Sequence, residues 1–309
     1  MVFSHQSVLL QQAVDALVTD RDGIYIDGTF GRGGHSREIL KHLNDAGTLL
    51  VVDKDPEAIS VAEQLEQQDP RVNVAHCSFA EIADLAGTKG VAGAVSGVLL
   101  DLGVSSPQLD DAERGFSFSK DGPLDMRMNN AEGITAAQWV AETAEAEMVR
   151  VFFEYGEERY SRRIARAIIA ARKESTITST LQLAEIVKQA HPAWEKHKHP
   201  ATRVFQAIRI HINHELSDLE QALTGIVDVL KTGGRMVIIS FHSLEDRLVK
   251  QFIQREERGD DFPPDMPVTQ AQLNPRLKRV GKPVKADSTE VDGNVRSRSA
   301  VLRIAEKIA

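Results

Sequence analysis

A glycine-rich loop directly after a short apolar run constrains the fold of this chain more than any other segment. The apolar run ends at Ile26, and the next ten residues read DGTFGRGGHS, from Asp27 to Ser36. Glycine adopts positive φ without strain and lets the backbone approach a ligand closely. A strand followed by such a loop is typical of an open α/β sheet, in which ligands bind at the carboxyl ends of the strands.

The polar residues of this loop indicate which ligand it suits. Asp27 stands where a phosphate-binding loop would avoid a carboxylate, and its oxygens can accept hydrogen bonds from a cationic amine. The dinucleotide motif G-x-G-x-x-G requires a third glycine where this chain has Ser36, and the Walker A motif G-x-x-x-x-G-K-S/T is absent from the sequence. The loop therefore favours S-adenosylmethionine, which carries no phosphate, over a nicotinamide dinucleotide.

Three further apolar runs end beside polar or aromatic residues. They are residues 48–52 before Asp53, residues 72–76 before Phe79, and residues 97–100 before Asp101. Asp53 follows Asp27 at close to the spacing, roughly 20 residues, at which nucleotide-binding folds place the acid that binds ribose hydroxyls. The ring of Phe79 is suited either to lie against an adenine ring or to pack in the protein core. Because parallel strands share one carboxyl edge, we expect these side chains to line a single ligand site.

Size and composition indicate a globular protein of the cytoplasm. The chain has 309 residues, 42% hydrophobic and 27% charged, which is ordinary for a globular protein of one elaborated domain or two. Cys77 is the single cysteine, so an intrachain disulfide is excluded, and no neighbouring base in the sequence suggests a nucleophile. We find neither a signal-peptide pattern nor an apolar segment of transmembrane length, which predicts a cytoplasmic location.

The net charge of −8 argues against a protein that coats nucleic acid by global attraction. Two local basic regions still allow contact with RNA. One spans residues 158–173, and the other, residues 276–309, holds nine lysines and arginines against four acids. Each region suits either a solvated face or an RNA-binding surface.

The order of patterns along the chain predicts two domains. Strand and helix alternate up to Pro107, stop, and resume with a glycine turn and a buried strand at 230–240. Helical periodicity fills the interval, with helices predicted at 135–153, 161–172, 180–189 and 202 to about 215. Residues 260–294 are predicted to form a long loop with at most one strand, and residues 299–304 the last strand. We therefore predict an α/β fold, a Rossmann-like methyltransferase sheet (1–107 and 215–309) split by an inserted α-helical substrate-recognition domain (108–214).

Eight specific strings occur in order almost from end to end of the chain. They are SVLL (7–10), DGTFGRGGHS (27–36), DLGVSSPQ (101–108), RGFSF (114–118), GPLDMRM (122–128), RVFQAIRI (203–210), SFHSLEDR (240–247) and RSRSA (296–300). In these strings the chain resembles the bacterial 16S ribosomal RNA cytosine-N4 methyltransferases, the small-subunit methyltransferase H family. Two positions depart from that family's pattern: Ser7 replaces a usual proline, and Gln12 a common acid. We expect neither to touch the donor site.

This resemblance implies a reaction, a cofactor and a substrate. The reaction is N4 methylation of a decoding-centre (P-site) cytidine in 16S ribosomal RNA, with S-adenosylmethionine as the methyl donor and the assembled small ribosomal subunit as the expected substrate. The family's cofactor contacts carry over onto Gly33, Gly34, His35, Asp53, Phe79, Asp101 and Gln108. Asp27 joins them on the chemistry of its carboxylate. A homodimer is compatible with the sequence, which does not decide the oligomeric state.

Asp101 is the candidate catalytic residue. The cytosine amine is a poor nucleophile because its lone pair is delocalised into the ring, so in-line placement contributes several kcal/mol. DNA amino-methyltransferases carry Asp or Asn followed by Pro-Pro and an aromatic residue at this strand edge, whereas this chain has Asp101 followed by LGVSSP. We predict that Asp101 orients the donor or the target amine, with Ser105 or Ser106 as secondary acceptors.

The target base must leave its stack to be methylated, so a surface must hold the splayed RNA. The candidates for this surface are Arg114, Phe116, Phe118, Arg127, Arg203, Arg209, Arg296 and Arg298. Phe116 and Phe118 suit equally a role in fixing the inserted domain to the sheet. No metal site is expected, because the histidines, including His197 and the pair His211 and His214, do not match H-E-x-x-H.

Three other functions remain open from the sequence. They are a methyltransferase acting on DNA or another RNA, a nicotinamide-dependent oxidoreductase, and a noncatalytic ribosome-assembly factor that retains the fold. Ser36 and Asp27 disfavour the oxidoreductase, and the missing Asp-Pro-Pro-aromatic string disfavours a DNA enzyme. An intact donor loop together with Asp53 and Asp101 disfavours a protein without activity.

Overall fold

A computed structural model describes residues 7–193, 199–260 and 273–308. The chain divides into two compact units, one formed by residues 1–103 and 216–309 and the other by residues 104–215. The second unit is inserted into the first along the sequence. The boundaries predicted from the sequence, near 107 and 215, lie within a few residues of these.

The first unit is built on a sheet. Its described strands are β1 (Ile24–Asp27), β2 (Thr48–Asp53), β3 (Val72–His76), β4 (Val95–Asp101), β5 (Leu230–Ser240), β6 (Leu277–Arg279), β7 (Val284–Lys285) and β8 (Val301–Lys307). The strand order is β3-β2-β1-β4-β5-β8-β6, with β7 also paired to β8. Strands β1 to β5 run parallel and β8 is antiparallel to β5. The predicted Rossmann-like α/β fold is confirmed.

Helices cover both faces of this sheet and make up most of the second unit. The described helices are α1 (Leu10–Leu17), α2 (Gly34–His42), α3 (Pro56–Gln68), α4 (Ile82–Thr88), α5 (Ser106–Asp110), α6 (Ala136–Glu142), α7 (Glu145–Glu154), α8 (Ser161–Glu174), α9 (Thr180–Ala190), α10 (Ala201–Ile212), α11 (Glu215–Val229), α12 (Ser243–Arg258) and α13 (Ser288–Gly293). In the described part of the chain, none of them is both long enough and apolar enough to cross a membrane.

Alternating strand residues separate the first unit into three layers. Ile26 and Leu50 face one core, which α4, α11 and α12 close, whereas Tyr25 and Leu49 face the other, closed by α1, α2 and α3. Side chains of a strand alternate between faces, so each strand contributes to both cores. With both faces buried, the site for a ligand is left to the edges of the sheet.

The second unit has its own apolar core, shared by α6 to α10. The single helix predicted at 135–153 is wrong, because the backbone of Thr143 is extended and separates α6 from α7. Arg172 Nη1, on α8, donates to the carbonyls of Val140 and Thr143 at 2.7 and 2.8 Å. The guanidinium thus satisfies carbonyls that the end of α6 leaves without helical partners.

The segment before β8 also differs from the prediction. Residues 260–294 contain two short strands, β6 and β7, and the helix α13, rather than at most one strand. Both strands pair with β8, which extends the sheet beyond β5. Residues 261–272 of the predicted loop, like His197 of the rejected metal set, lie outside the described residues.

Candidate functional site

Four strands of the first unit end in polar residues at one edge of the sheet. β1 ends at Asp27, β2 at Asp53, β4 at Asp101 and β5 at Ser240. Parallel pairing brings these ends together, since Asp27 lies opposite Val51 and Leu99, each two residues before the end of its strand. We call this the carboxyl edge. Three carboxyl groups therefore converge where an open α/β sheet binds its ligand.

The glycine loop lies between β1 and α2 and is tied to both neighbouring strands. The Gly28 N–H donates to the Leu99 carbonyl, and the Phe30 N–H donates to the Val52 carbonyl. Gly31 and Gly33 have φ of 56° and 75°, the left-handed region in which glycine is unstrained. Backbone conformation therefore explains why the sequence has glycine at these two positions.

Asp53 shapes the loop as well as forming the edge. Its Oδ2 accepts the Gly31 N–H at 2.8 Å, and its Oδ1 accepts the Asp55 N–H at 2.9 Å. Burial raises the pKa of Asp53, and the two N–H donors oppose that rise. A carboxylate oxygen can accept a second hydrogen bond. Asp53 can therefore hold the loop and still accept from a ligand hydroxyl.

Asp27 is the most deeply buried of the three acids. Its Oδ2 accepts from the Ser36 hydroxyl at 2.6 Å, and its Oδ1 accepts from the Thr29 N–H at 3.2 Å. Burial nevertheless dominates and raises the pKa of Asp27 to about 6. Ser36 stands where the dinucleotide motif would require glycine, and its hydroxyl is the donor to this carboxyl group.

Asp101 has an acceptor atom with no partner. Its Oδ1 is buried without a hydrogen-bond partner among the described residues. Its backbone N–H donates to Thr29 Oγ1 at 2.6 Å, which fixes the end of β4 against the glycine loop. Burial raises the pKa of Asp101 well above its usual range, and the charges of Asp27 and Glu245 add to the rise. A buried acceptor without a partner is stabilised by a hydrogen-bond donor or by a cation.

His35 packs beside Asp101 as a neutral ring. Only 4% of His35 is exposed, and burial lowers its pKa to about 4. Its Nε2 lies 3.2 Å from the Val8 carbonyl, so the proton resides on Nε2 and Nδ1 is left as an acceptor. Nδ1 lies 3.6 Å from Asp101 Oδ2. His35 therefore adds no positive charge to the acidic edge.

The residues present fit a cationic, phosphate-free cofactor. Converging carboxyl groups with raised pKa values become charged most readily beside a positive ligand. Gly28 leaves no room for a side chain, because a Cβ there would overlap Leu100 and press on Ile82 and Phe79. A Cβ at Gly34 would overlap Ser7, so Ser7 packs against a residue that is predicted to line the donor site.

Two other predicted cofactor residues have structural contacts of their own. Phe79 begins a 3₁₀ turn after β3 and packs, partly buried, against the core that α11 closes. Gln108 belongs to the second unit, where it is buried and its side chain accepts from the Ser105 N–H at 2.8 Å to cap α5. Contact of either side chain with a cofactor stays a prediction.

The candidate RNA-binding residues of the second unit are mostly engaged within it. Arg114 and Phe116 are buried, and Arg114 donates to the carbonyls of Arg127 and Met128. Arg127 pairs with Asp125 at 2.7 Å. These contacts favour a structural role for Arg114 and Phe116, and an RNA contact by any of the three stays a prediction.

The remaining arginine candidates differ in whether an acid already pairs with them. Arg209 is held by Glu215 through two hydrogen bonds of 2.7 and 2.8 Å. Arg203 lies on α10, and Arg296 and Arg298 lie in a 3₁₀ turn directly before β8. Arg298 is exposed and has no ion pair with a described acid.

Phe118, also a candidate, packs with its ring 4.8 Å from the rings of Phe205 and His199. It therefore contributes to the core of the second unit.

Glu245 is the residue that sequence reasoning missed. It lies in the first turn of α12, is 2% exposed, and accepts the Phe241 N–H at 2.8 Å. Its charge contributes to the raised pKa of Asp101. The signal available in the sequence was an acid a few residues after the buried strand 230–240, because that strand ends at the same edge as Asp101. Cys77, by contrast, has its pKa raised to about 11 by burial and is poorly suited to be a nucleophile.

Replacement of Gly33 by alanine should weaken cofactor binding at least tenfold. A Cβ at Gly33 would lie 2.6 Å from the Phe30 ring, in addition to the strain of its φ of 75°. Gly93 is a matched control, because it has the same φ but no atom within 4 Å of an added Cβ. Calorimetric titration with S-adenosylmethionine would test this, and equal affinity for both variants would contradict it.

Known proteins resemble this chain over nearly its whole length. The sequence model of the MraW methylase family matches residues 2–308. Two relatives named ribosomal RNA small subunit methyltransferase H are each 58% identical and cover 99% of this chain: one from Legionella pneumophila, with 99% of its own length covered, and one from Chromohalobacter salexigens, with 92%. A solved ribosomal RNA methylase from Streptococcus thermophilus superposes with a TM-score of 0.43 at 10% identity, over 96% of this chain and 92% of that one.

Proposed function

Because the chain belongs to the MraW methylase family and is thus an S-adenosylmethionine-dependent ribosomal RNA methyltransferase, we propose that it methylates N4 of one P-site cytidine in 16S ribosomal RNA. The observation that carries the position of methylation is the unpartnered Asp101 Oδ1 at the carboxyl edge. An exocyclic amine offers N–H donors to such an acceptor. A ring carbon under attack would need a different arrangement, such as a cysteine nucleophile.

The carboxyl edge and its loop would hold the cofactor. Asp53 can accept from ribose hydroxyls with its remaining lone pairs, and Phe79 can lie against adenine. Asp27 suits the positive charge of the amino acid end. The loop residues Gly33, Gly34 and His35 would line the same ligand. S-adenosylmethionine, when bound, supplies a methyl group made electrophilic by its sulfonium.

Asp101 would orient the target amine and take its proton. Its ionised Oδ1 would accept one amine hydrogen, which places the nitrogen and favours a pyramidal geometry with an available lone pair. The amine proton released after methylation would pass to this carboxylate and then to water, because a quarter of the side chain is exposed. Neutral His35 does not compete for the proton at neutral pH.

The substrate would be the assembled small ribosomal subunit in the cytoplasm. A chain of net charge −8 gains little from general attraction to bare RNA, so recognition of a folded site on a particle is the better match. Asp27 and the loop at Ser36 argue against a nicotinamide cofactor, as before. A homodimer is not required by any step of this proposal.

Methyl transfer from labelled S-adenosylmethionine is the decisive measurement. Purified small subunits, naked 16S ribosomal RNA and duplex DNA would be compared in parallel, with the modified nucleoside identified by mass spectrometry. We expect N4-methylcytidine, formed mainly in subunits. Label in DNA would favour a DNA enzyme, label at another RNA position would refute the proposed N4 specificity, and no label despite cofactor binding would favour a noncatalytic assembly factor.

A further inference from the structure

A run of positive charge interrupts this acidic chain near its end. Residues 276–285 contain five lysines and arginines and no acid, whereas the whole chain has a net charge of −8. This segment, which we call the basic edge segment, consists of β6, a turn at Gly281 with φ of 71°, and β7. Both strands pair antiparallel with β8, so they run in the same direction along one edge, and the segment belongs to the first unit and is fixed to its sheet.

A groove separates the basic edge segment from α12. It encloses about 320 Å³, including open solvent, and its charged lining consists of Lys250, Arg279, Lys282 and Arg303. Its floor is apolar, with Ile253 and Ile304 among the lining residues. Four cationic side chains from three separate elements thus face one depression.

Two of these cations are neutralised and two are not. Arg303 donates to Asp246 at 2.7 and 3.0 Å, and Arg279 pairs with Glu257 at 2.7 Å. Lys250 and Lys282 are exposed, and neither forms an ion pair with an acid in the described residues. They lie on opposite sides of the groove, one on α12 and one in the turn between β6 and β7. Unpaired like charges repel each other, and a polyanion placed between them relieves this repulsion.

Strand register relates the groove to the carboxyl edge. Asp101 lies opposite Ile239, Ile239 opposite Leu302, and Leu302 opposite Val284. Three strand spacings of about 4.8 Å put β7 roughly 14 Å from the end of β4. Lys285, exposed and also without an ion pair among the described acids, follows Val284. Positive charge therefore extends along the sheet from near the carboxyl edge to the groove.

We propose that the groove between α12 and the basic edge segment binds the phosphate backbone of the substrate RNA, beside the cytidine that is methylated. This inference rests on the proposed function, because it takes RNA as the substrate. Lysine ammonium groups on the two sides of a groove suit a phosphate backbone lying between them as point charges. The contact would locate an RNA strand without reading its bases. It would also explain how an acidic protein binds RNA at a defined place.

The Lys250→Ala and Lys282→Ala double variant tests this surface. We expect its affinity for 16S ribosomal RNA and for small subunits, measured by fluorescence anisotropy, to fall about tenfold, and the slope of log affinity against log salt to decrease by about 1.4. KM for subunits should rise while kcat stays within twofold of wild type. Affinity for S-adenosylmethionine, measured by calorimetry, should be unchanged.

The control removes two exposed lysines elsewhere in the first unit. Lys41 and Lys89 lie at the ends of α2 and α4, so the Lys41→Ala and Lys89→Ala variant changes the net charge equally. Equal RNA affinity for the two double variants would overturn the inference, and so would weakened binding of inorganic phosphate with unchanged RNA binding. If wild-type protein binds RNA through this groove but methylates none, the proposed function is refuted, whereas the assignment of the groove as an RNA-binding site is retained.

Discussion

Methyl transfer by the Asp101→Ala variant is expected to fall by a factor of about 100 to 10,000, the range that a positioned acid or base contributes. Alanine removes a buried acceptor at the carboxyl edge that, like Ser240 Oγ, has no partner among the described residues. It also removes the carboxyl group that lies 3.6 Å from His35 Nδ1. The measurement is kcat and KM with purified small subunits and saturating S-adenosylmethionine. We expect the loss mainly in kcat.

Stability separates this effect from misfolding. Burial raises the pKa of Asp101, so its ionised form costs free energy in the folded protein, and alanine should not lower the free energy of unfolding. Asp84, an exposed acid on α4, supplies the control variant Asp84→Ala. Activity near that of wild type, with the cofactor still bound, would refute a role for Asp101 in the reaction.

The sequence predicts the carboxyl edge well because local patterns determine it. Apolar runs that end in Asp27, Asp53 and Asp101 show where parallel strands stop, and parallel strands share their carboxyl ends. Glycine at 31 and 33 follows from the positive φ that the loop requires. Neither inference depends on contacts between distant residues, which is why both could be made from one sequence.

Contacts between distant residues account for what the sequence did not predict. Glu245 affects the pKa of Asp101 although 143 residues separate them in the chain. Arg114 has the charge of a surface residue, yet it is buried because carbonyl groups of a later loop accept its hydrogen bonds. Arg172, on another helix, donates to the carbonyls at the end of α6, where the break before α7 begins. Periodicity within a segment carries no information about such partners.

The free energy of unfolding of the cofactor-free protein should depend on pH through Asp27, and Asp27→Asn should remove that dependence. The pKa of Asp27 rises from 3.8 to about 6 on folding, because the carboxyl group is buried. Below pH 4 both states hold the proton. Between about pH 4 and 6 only the folded state holds it, so the free energy of unfolding falls as pH rises, by about 3 kcal/mol in total. Above pH 6 both states have lost the proton, so the free energy of unfolding stays lower by the same amount.

Asp27→Asn should therefore be close to wild type in stability at pH 4 and more stable by about 3 kcal/mol at pH 8. Urea unfolding of cofactor-free protein at several pH values measures this difference, and Asp84→Asn, at an exposed acid, is the control. Parallel curves for wild type and Asp27→Asn would contradict a raised pKa. Binding should change in the opposite direction, because the variant lacks a carboxylate that a cationic cofactor would stabilise. Higher stability together with weaker binding of S-adenosylmethionine would show that Asp27 is retained for the ligand at a cost to the fold.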